Sequence, residues 1–253
     1  MKIRKDLESQ NGCSSKASLG LGFVSDLSAA TLHHLDEIRV HVEYAKGARL
    51  FVEGQSCAGV YLLCEGRVKY TTHSHNGKAL ILNIAVSGDV LGLSTAVSDV
   101  PHLATAEAIE TCSVDFVPKS EFLNFLKLRP DAGMKAIEQL SRQCNFANSQ
   151  IRSFGLSRRV ADKLTKLLID WSDSAMPKNG SVHLKVSFSH EEIAEMIGTS
   201  RETVTRLLKT FRELGLISIS GPDLYIPDRH RLEATIGNGS ISGAAREVKL
   251  FIG

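Results

Sequence analysis

The sequence predicts an α+β fold in which a β-rich N-terminal part, a long helix and a smaller, mainly helical C-terminal part follow one another. Three observations lead to this expectation. Short β-branched runs alternate with glycines between residues 40 and 117, which is typical of closely spaced strands. Apolar residues then recur every three or four positions from Ile137 to Phe154, as in a helix. Near the C-terminus, two helical patterns with capping residues flank a glycine.

The composition is that of an ordinary globular protein. The 253 residues are 43% hydrophobic and 23% charged, and the length allows two domains with cores of their own. The net charge is only +2, so attraction to a nucleic acid would require a local basic patch. The first residues, MKIRKDLESQNG, contain no apolar stretch of the kind that a signal peptide carries, and no run approaches the ~18 apolar residues of a membrane span. The five cysteines include no C-x-x-C pair that would indicate zinc. We expect a cytoplasmic protein without a membrane segment.

The first part of the chain predicts a mobile arm and then a β-rich domain. Residues 1–22 have little periodicity and are expected to be mobile. Apolar residues at helical spacing predict a short helix from Phe23 to about Val42. The strands that follow, with a hairpin turn at Asn76 and Gly77, predict a sandwich or a small barrel. The pattern leaves open whether this domain encloses a ligand cavity or a packed core.

Two helices are predicted next, a short one from Lys119 to Leu128 and a long one from about Asp131 to Phe154. The long helix carries an apolar stripe at heptad-like spacing, made up of Ile137, Leu140, Cys144, Ala147, Ile151 and Phe154. Such a stripe either packs on its own domain or forms the seam of a dimer. We favour the dimer seam, because proteins with the helix-turn-helix described next commonly read two-fold symmetric sites as dimers.

The segment 189–217 predicts two helices joined by a tight turn. Ser189 and Glu192 form the S-x-x-E pattern of a capping box, and Gly198 suits the turn that follows the first helix. Ser200 caps the second helix, whose buried side is expected to hold Val204, Leu207, Leu208 and Phe211. The remaining side is basic and carries Arg201, Glu202, Thr205, Arg206 and Lys209. An ordinary helical hairpin with a solvated face is the alternative. We favour DNA binding, because a helix-turn-helix places the first turns of its second helix against base edges.

The elements around this segment complete the C-terminal part. Residues 156–170 predict a helix and residues 182–188 a strand. Residues 216–226 read as a β-hairpin, the wing that can contact phosphates after a helix-turn-helix. Residues 237–253 suggest no function.

These residues resemble the Crp–Fnr family of bacterial transcription regulators. The most specific match is the run from Thr199 to Arg206, and supporting matches are EGRVK at residues 65–69 and GDVLG at residues 88–92. The resemblance implies an N-terminal β-roll (a jelly-roll domain like those that bind cyclic nucleotides) at 23–128, a dimerisation helix at 129–155 and a winged helix-turn-helix at 156–253. It also implies a homodimer that binds double-stranded DNA and contacts RNA polymerase, and no enzymatic activity.

The family's base-reading positions fall on Arg201, Glu202 and Arg206. Arginine suits the O6 and N7 atoms of guanine, and glutamate accepts from the N4 amino group of cytosine. We therefore expect a palindromic site with TGTGA-like halves. The residues expected to contact the DNA backbone are Ser200, Thr203, Thr205, Lys209 and Lys185.

The effector site departs from the family pattern. Cyclic-nucleotide binders of the family carry Gly-Glu and Arg-Ser where this chain has Gly92-Leu93 and His102-Leu103. Their adenine-contacting Thr-Ser pair is replaced by Ala147-Asn148. The acid that holds the ribose and the cation that neutralises the phosphate are thus both missing. We expect a degenerate pocket that does not take cyclic AMP, with control by an unidentified effector or none; a cyclic-nucleotide-dependent regulator is the alternative.

Metal cofactors are not expected either. The iron–sulfur branch of the family uses several N-terminal cysteines, whereas Cys13 is the one N-terminal cysteine here. His73-x-His75 is similar to the metal motif of cupins, but no carboxylate stands three to five residues after it. A cupin-like metalloprotein is therefore a weaker alternative.

Overall fold

The computed structural model describes residues 22–74, 77–156, 159–173, 182–185, 188–221 and 223–236. The chain divides into two units, residues 1–146 and residues 147–253. Most of the predicted N-terminal arm, the turn residue Asn76 and the tail at 237–253 lie outside the described residues, as do the side chains of Phe154 and Lys185.

The first unit is built mainly from strands. Its strands are β1 (Val40–Tyr44), β2 (Arg49–Phe51), β3 (Gly59–Glu65), β4 (Arg67–His73), β5 (Ala79–Val86), β6 (Val90–Leu91), β7 (Thr105–Ala108) and β8 (Cys112–Pro118). Its short helices are α1 (Ala29–Ile38), α2 (Leu93–Ser98) and α3 (Lys119–Leu128).

The strands form two antiparallel four-stranded sheets, in the orders β1-β8-β3-β6 and β2-β7-β4-β5. Side chains from both sheets, including Leu63, Val114 and Ala106, meet in one apolar core. The other face of the first sheet packs against α1 and α3, where Leu35 and Phe122 are fully buried. This arrangement of two sheets around a shared core confirms the predicted sandwich.

The helix predicted from Phe23 to Val42 is shorter than expected. It begins after the cap residue Ser28, whose hydroxyl accepts the N–H of Thr31, and it ends at Ile38. The residues after it cannot stay helical because they pair with β8, with Val40 opposite Phe116. The prediction failed at this boundary because strand pairing with a distant segment outweighed the local apolar spacing.

The long helix α4 spans Pro130–Leu156 and confirms the predicted helix. Its first half packs on the first unit through the buried residues Ala132, Ala136 and Gln139. The Gln139 side chain donates to the backbone oxygen of Val90 at 2.8 Å and accepts the Val90 N–H at 3.0 Å. This paired hydrogen bond fixes the helix against the edge strand β6.

The second unit contains helices α5 (Val160–Asp173), α6 (His190–Ile197), α7 (Arg201–Glu213) and α8 (Arg229–Glu233). Its strands β9 (Val182–Lys185), β10 (Ser218–Ser220) and β11 (Asp223–Ile226) form an antiparallel sheet in the order β10-β11-β9. The predicted wing is the β10–β11 hairpin. The short helix α8 was not predicted. Within the described residues, no helix combines the length and the apolar composition needed to cross a bilayer.

Candidate nucleic-acid interface and candidate effector site

The two predicted helices of the helix-turn-helix form as their capping residues require. The Ser189 hydroxyl accepts the Glu192 N–H at 3.2 Å, and the Glu192 carboxylate accepts the Ser189 N–H at 2.9 Å. Gly198 ends α6 with a φ of 67°, a conformation that glycine adopts without steric cost. The capping box and the turn therefore fix where α7 begins.

Helix α7 is held on one side and open on the other. The Ser200 hydroxyl accepts the Thr203 N–H at 3.3 Å and caps the helix. Val204, Leu208 and Phe211 are buried on the side that faces the core of the second unit. The predicted DNA-contacting residues of the opposite side are all exposed, namely Arg201, Glu202, Thr205, Arg206 and Lys209. The structure thus presents the predicted reading face to solvent.

Glu202 is held in the ionised form. Its own backbone N–H and the Ser200 hydroxyl hydrogen-bond the carboxylate, and Arg201 adds positive charge nearby. Together these contacts lower the pKa of Glu202 below its ordinary value. An ionised carboxylate can only accept hydrogen bonds, which matches the amino group that cytosine presents in the major groove.

Thr205 links the two helices, a role that the sequence did not suggest. Its hydroxyl donates to the backbone oxygen of Arg201 at 2.9 Å, and the Thr205 hydroxyl oxygen also lies 2.9 Å from Nδ1 of His190. Because the hydroxyl proton goes to Arg201, Nδ1 of His190 must carry the proton of the second bond. His190, the first residue of α6, therefore reaches across to the first turns of α7. In the sequence, the one indication of this role is that His190 directly follows the capping residue Ser189.

The predicted effector-site residues are not all brought together. Gly92 is the cap residue before α2 and has a φ of 77°. The Leu93 side chain is buried in the apolar core shared with α1 and α3. Leu103 is 72% exposed. Gly92 and His102 do meet, because a Cβ atom built on Gly92 would lie 3.4 Å from Cε1 of His102.

His102 is buried in an aromatic environment. Its ring stacks on Phe51 with a centroid distance of 3.8 Å and an interplanar angle of 12°. Its Nδ1 lies 3.3 Å from the Thr95 hydroxyl, which itself donates to the backbone oxygen of Gly92 at 2.8 Å. Burial lowers the pKa of His102 below its ordinary value. The residue at the family's cation position is therefore a neutral ring packed on another ring.

Tyr70 reaches the same turn from β4. Burial raises the pKa of its phenol, while a hydrogen bond from the Gly92 N–H acts in the opposite direction. The centroid of the Tyr70 ring lies 5.9 Å from that of Phe51, and the centroid of the Tyr61 ring lies 5.7 Å from it. The sequence interpretation missed Phe51, Tyr70 and Thr95, because nothing local indicates that these residues converge.

The predicted seam on α4 is largely exposed. Ile137 is 60% and Ile151 68% exposed, and Cys144 and Ala147 are exposed as well. Leu140 differs, since it is partly buried against the core of the first unit. Ala147 and Asn148, predicted for the effector site, belong to the second unit and are exposed.

Two family models match the chain. A cyclic nucleotide-binding domain matches residues 41–129, and a Crp-like helix-turn-helix domain matches residues 158–235. The two matches cover the β-rich sandwich and the winged helix-turn-helix, and together they account for more than half of the chain.

Characterised regulators align over most of the length. A CRP-like cAMP-activated global transcriptional regulator from Mycobacterium tuberculosis is 24% identical over 76% of this chain and 85% of its own. The nitrogen fixation regulation protein FixK from Bradyrhizobium diazoefficiens is 27% identical over 88% of this chain and 92% of its own. The fold also matches a CooA mutant from Carboxydothermus hydrogenoformans, with a TM-score of 0.70 and 20% identity over 93% of this chain and 98% of that one.

Proposed function

The chain belongs to the Crp–Fnr family of DNA-binding transcription regulators, and from this premise we propose that it binds a palindromic TGTGA-like site as a homodimer. The observation that carries the proposal is the exposed face of α7. Arg201, Glu202 and Arg206 occupy its first two turns, with the opposite side buried in the domain. These turns are the part of a recognition helix that reaches base edges in the major groove.

The division of roles along α7 follows from side-chain chemistry. Arg201 and Arg206 would each donate to a guanine, and the ionised Glu202 would accept from a cytosine. Ser200, Thr203, Lys209 and Lys185 would contact phosphates, which positions the helix without reading sequence. Thr205 would lie against the DNA backbone without donating to it, because its hydroxyl proton goes to Arg201. The segment 199–212 supplies four basic residues and one acidic residue, so the attraction is local although the whole chain is nearly neutral.

A homodimer explains how one such helix can recognise a palindrome. The exposed isoleucines Ile137 and Ile151 lie two heptads apart on α4, and burying them against a second copy removes apolar surface from water. Two recognition helices then stand at a spacing set by the two-fold axis. We also propose RNA polymerase as a partner, because a transcription regulator acts on the polymerase at the promoter. The proposed location is the cytoplasm, where bacterial promoters lie.

We further propose that cyclic AMP is not the effector, although several relatives are cAMP-activated by name. Leu93 stands in the apolar core at the position of the family's ribose-holding acid. His102 stands at the position of the phosphate-binding cation, and it is buried and stacked. A cyclic phosphate placed there would lose its hydration without gaining a cation. An iron–sulfur cluster is not proposed, because the chain lacks the cluster of N-terminal cysteines.

The base-reading assignment is tested by fluorescence anisotropy on a TGTGA palindrome and on a scrambled duplex. We expect Arg201→Ala to weaken binding to the palindrome by about 1–3 kcal/mol and binding to the scrambled duplex far less. Arg212→Ala is the charge-matched control at the far end of α7, and it should affect the two duplexes alike. Equal losses on both duplexes for Arg201→Ala would contradict the assignment.

A further inference from the structure

We infer that the effector site of the β-roll is permanently filled by the protein's own side chains, so that DNA binding needs no small-molecule effector. The inference rests on the proposed DNA-binding function and specifies how it is regulated. It is carried by three features of the first unit: a closed set of hydrogen bonds, a filled aromatic stack and the absence of a charge partner for an anion among the side chains described around the site.

The hydrogen bonds at the turn before α2 are already made within the protein. The Gly92 N–H lies close enough to the Tyr70 phenol to lower the pKa of that phenol. The Gly92 carbonyl accepts the Thr95 hydroxyl proton at 2.8 Å, and the Thr95 oxygen faces Nδ1 of His102 at 3.3 Å. Because the Thr95 proton goes to Gly92, His102 must be the donor of the last bond. An effector at this turn would have to break internal bonds to gain its own.

The space beside the turn is occupied by aromatic rings. The 3.8 Å separation of the Phe51 and His102 rings is a full stacking contact, so no further ring fits between them. The backbone of Gly92 is also closely surrounded. A Cβ atom added to Gly92 would lie 3.4 Å from Cε1 of His102 and 3.3 Å from the carbonyl oxygen of Gly59. Interiors packed at this density admit an extra group only if a side chain moves away.

The side chains that pack on the Phe51 ring or hydrogen-bond at the turn, among the residues described, carry no positive charge. They are the rings of Tyr61, Tyr70 and His102 and the hydroxyl of Thr95. His102 is the one among them that can become cationic near neutral pH, and burial opposes that form. A buried phosphate needs a paired cation or several donors. The chemistry of the site therefore selects against the anionic ligands that related domains take.

A side chain that fills an effector site acts as a ligand that is always present. An effector shifts an equilibrium only by binding one arrangement better than another. If Tyr70 and His102 already supply the contacts that an effector would make, the β-roll stays in one conformation. The expected phenotype is a regulator whose activity follows its abundance.

The direct test uses the full-length wild-type protein. Anisotropy titrations on the TGTGA palindrome are run without addition and with 1 mM cyclic AMP, and denatured protein is searched by mass spectrometry for a co-purified small molecule. We expect less than a twofold change in Kd and no stoichiometric small molecule. A tenfold gain with cyclic AMP, or one bound molecule per chain, would overturn the inference. Failure to bind the palindrome under either condition would instead count against the proposed DNA site.

A second test asks whether the His102 ring itself fills the site. His102→Ala should leave a gap beside Phe51 that imidazole can enter, raising the Tm of the variant by about 2 °C or more while leaving the wild type unchanged. His34→Ala is the matched control, because His34 contacts Phe125 edge-on at 5.3 Å outside this site. A folded His102→Ala protein that imidazole stabilises no more than His34→Ala would contradict the filled site. Should His102→Ala not fold, the wild-type titration still decides.

Discussion

The Thr205 hydroxyl joins the two helices of the DNA-binding motif through two hydrogen bonds. It donates to the backbone of Arg201, one turn earlier on α7, and it accepts from His190 on α6. A recognition helix must hold its first turn in a fixed orientation for a bidentate arginine to meet a guanine. His190 is therefore a positioning residue, which acts on base reading through Thr205.

Substitutions of His190 test this role at the residue scale. We expect His190→Ala to weaken binding to the TGTGA palindrome by about fivefold, since one hydrogen bond is worth about 1 kcal/mol. His190→Asn should recover most of the affinity, because its amide can donate from nearly the same place as Nδ1. Anisotropy titrations measure both. His183→Ala provides the control, because His183 lies in β9 and faces Asp223 at 3.8 Å. Equal losses for the asparagine and alanine variants would rule out the hydrogen bond as the cause.

At the scale of elements, Asp131 connects the beginnings of two helices. Its carboxylate accepts the Ser28 N–H at 3.0 Å and the Thr31 hydroxyl at 2.8 Å, both at the start of α1, while itself standing in the first turn of α4. Burial acts to raise the pKa of Asp131, but these bonds and the Ala132 N–H outweigh it and lower the pKa to about 2. The ionised form therefore stabilises the contact between the helices.

The lowered pKa predicts a pH-dependent contribution to stability. Because the folded-state pKa lies below the ordinary value, the stabilisation is complete above about pH 4 and disappears as the pH falls towards 2. The carboxylate is partly solvated, so we expect Asp131→Asn to cost only about 1 kcal/mol at pH 7. Urea unfolding followed by circular dichroism at pH 7, 4 and 2.5 measures the difference. Asp26→Asn, at an 81% exposed side chain paired with Lys135, should change little at any pH. A pH-independent loss for Asp131→Asn would refute this account.

Local signals in the sequence predicted the elements whose ends are set by neighbouring residues. Ser189 with Glu192, Gly198 and Ser200 predict both helices of the helix-turn-helix, and these residues cap the two helices in the structure. The end of α1 was misjudged because the pairing of Val40 with Phe116 joins segments that are far apart in the chain. Boundaries that depend on distant pairing cannot be found from local spacing.

The candidate sites follow the same rule. The reading face of α7 was predictable, because helical spacing alone decides which side chains share a face. For the effector site, the sequence predicted only that the family's ligand-binding residues are missing. Leu93 and His102 stand where an acid and a cation are needed. What fills it depends on Phe51 and Tyr70, which come from β2 and β4 and meet His102 only in the folded sandwich.

At the scale of the whole molecule, symmetry connects the two proposals on DNA binding. A chain with net charge +2 has little general attraction to DNA. The affinity must therefore come from two recognition helices, one α7 from each protomer, that bind together. When two heads are joined rigidly, the second binds at a high effective concentration. The strength of binding to a palindrome therefore depends on the seam as much as on α7.

Breaking the seam should separate these contributions. Ile151→Asp places a charge on a residue that is 68% exposed in the single chain and belongs to the proposed dimer seam, while it lies outside the reading face. We expect sedimentation to show a monomer, the affinity for the palindrome to fall by about a hundredfold, and the weak affinity for a single half-site to stay the same. Leu128→Asp is the matched control, since Leu128 is 59% exposed at the end of α3 and off the seam. If the Ile151→Asp protein remains dimeric, or if it loses half-site binding as well, α4 does not form the interface in the way proposed. A monomer with intact half-site binding would show that the recognition helix reads its half-site by itself, and that the seam supplies the spacing and the avidity.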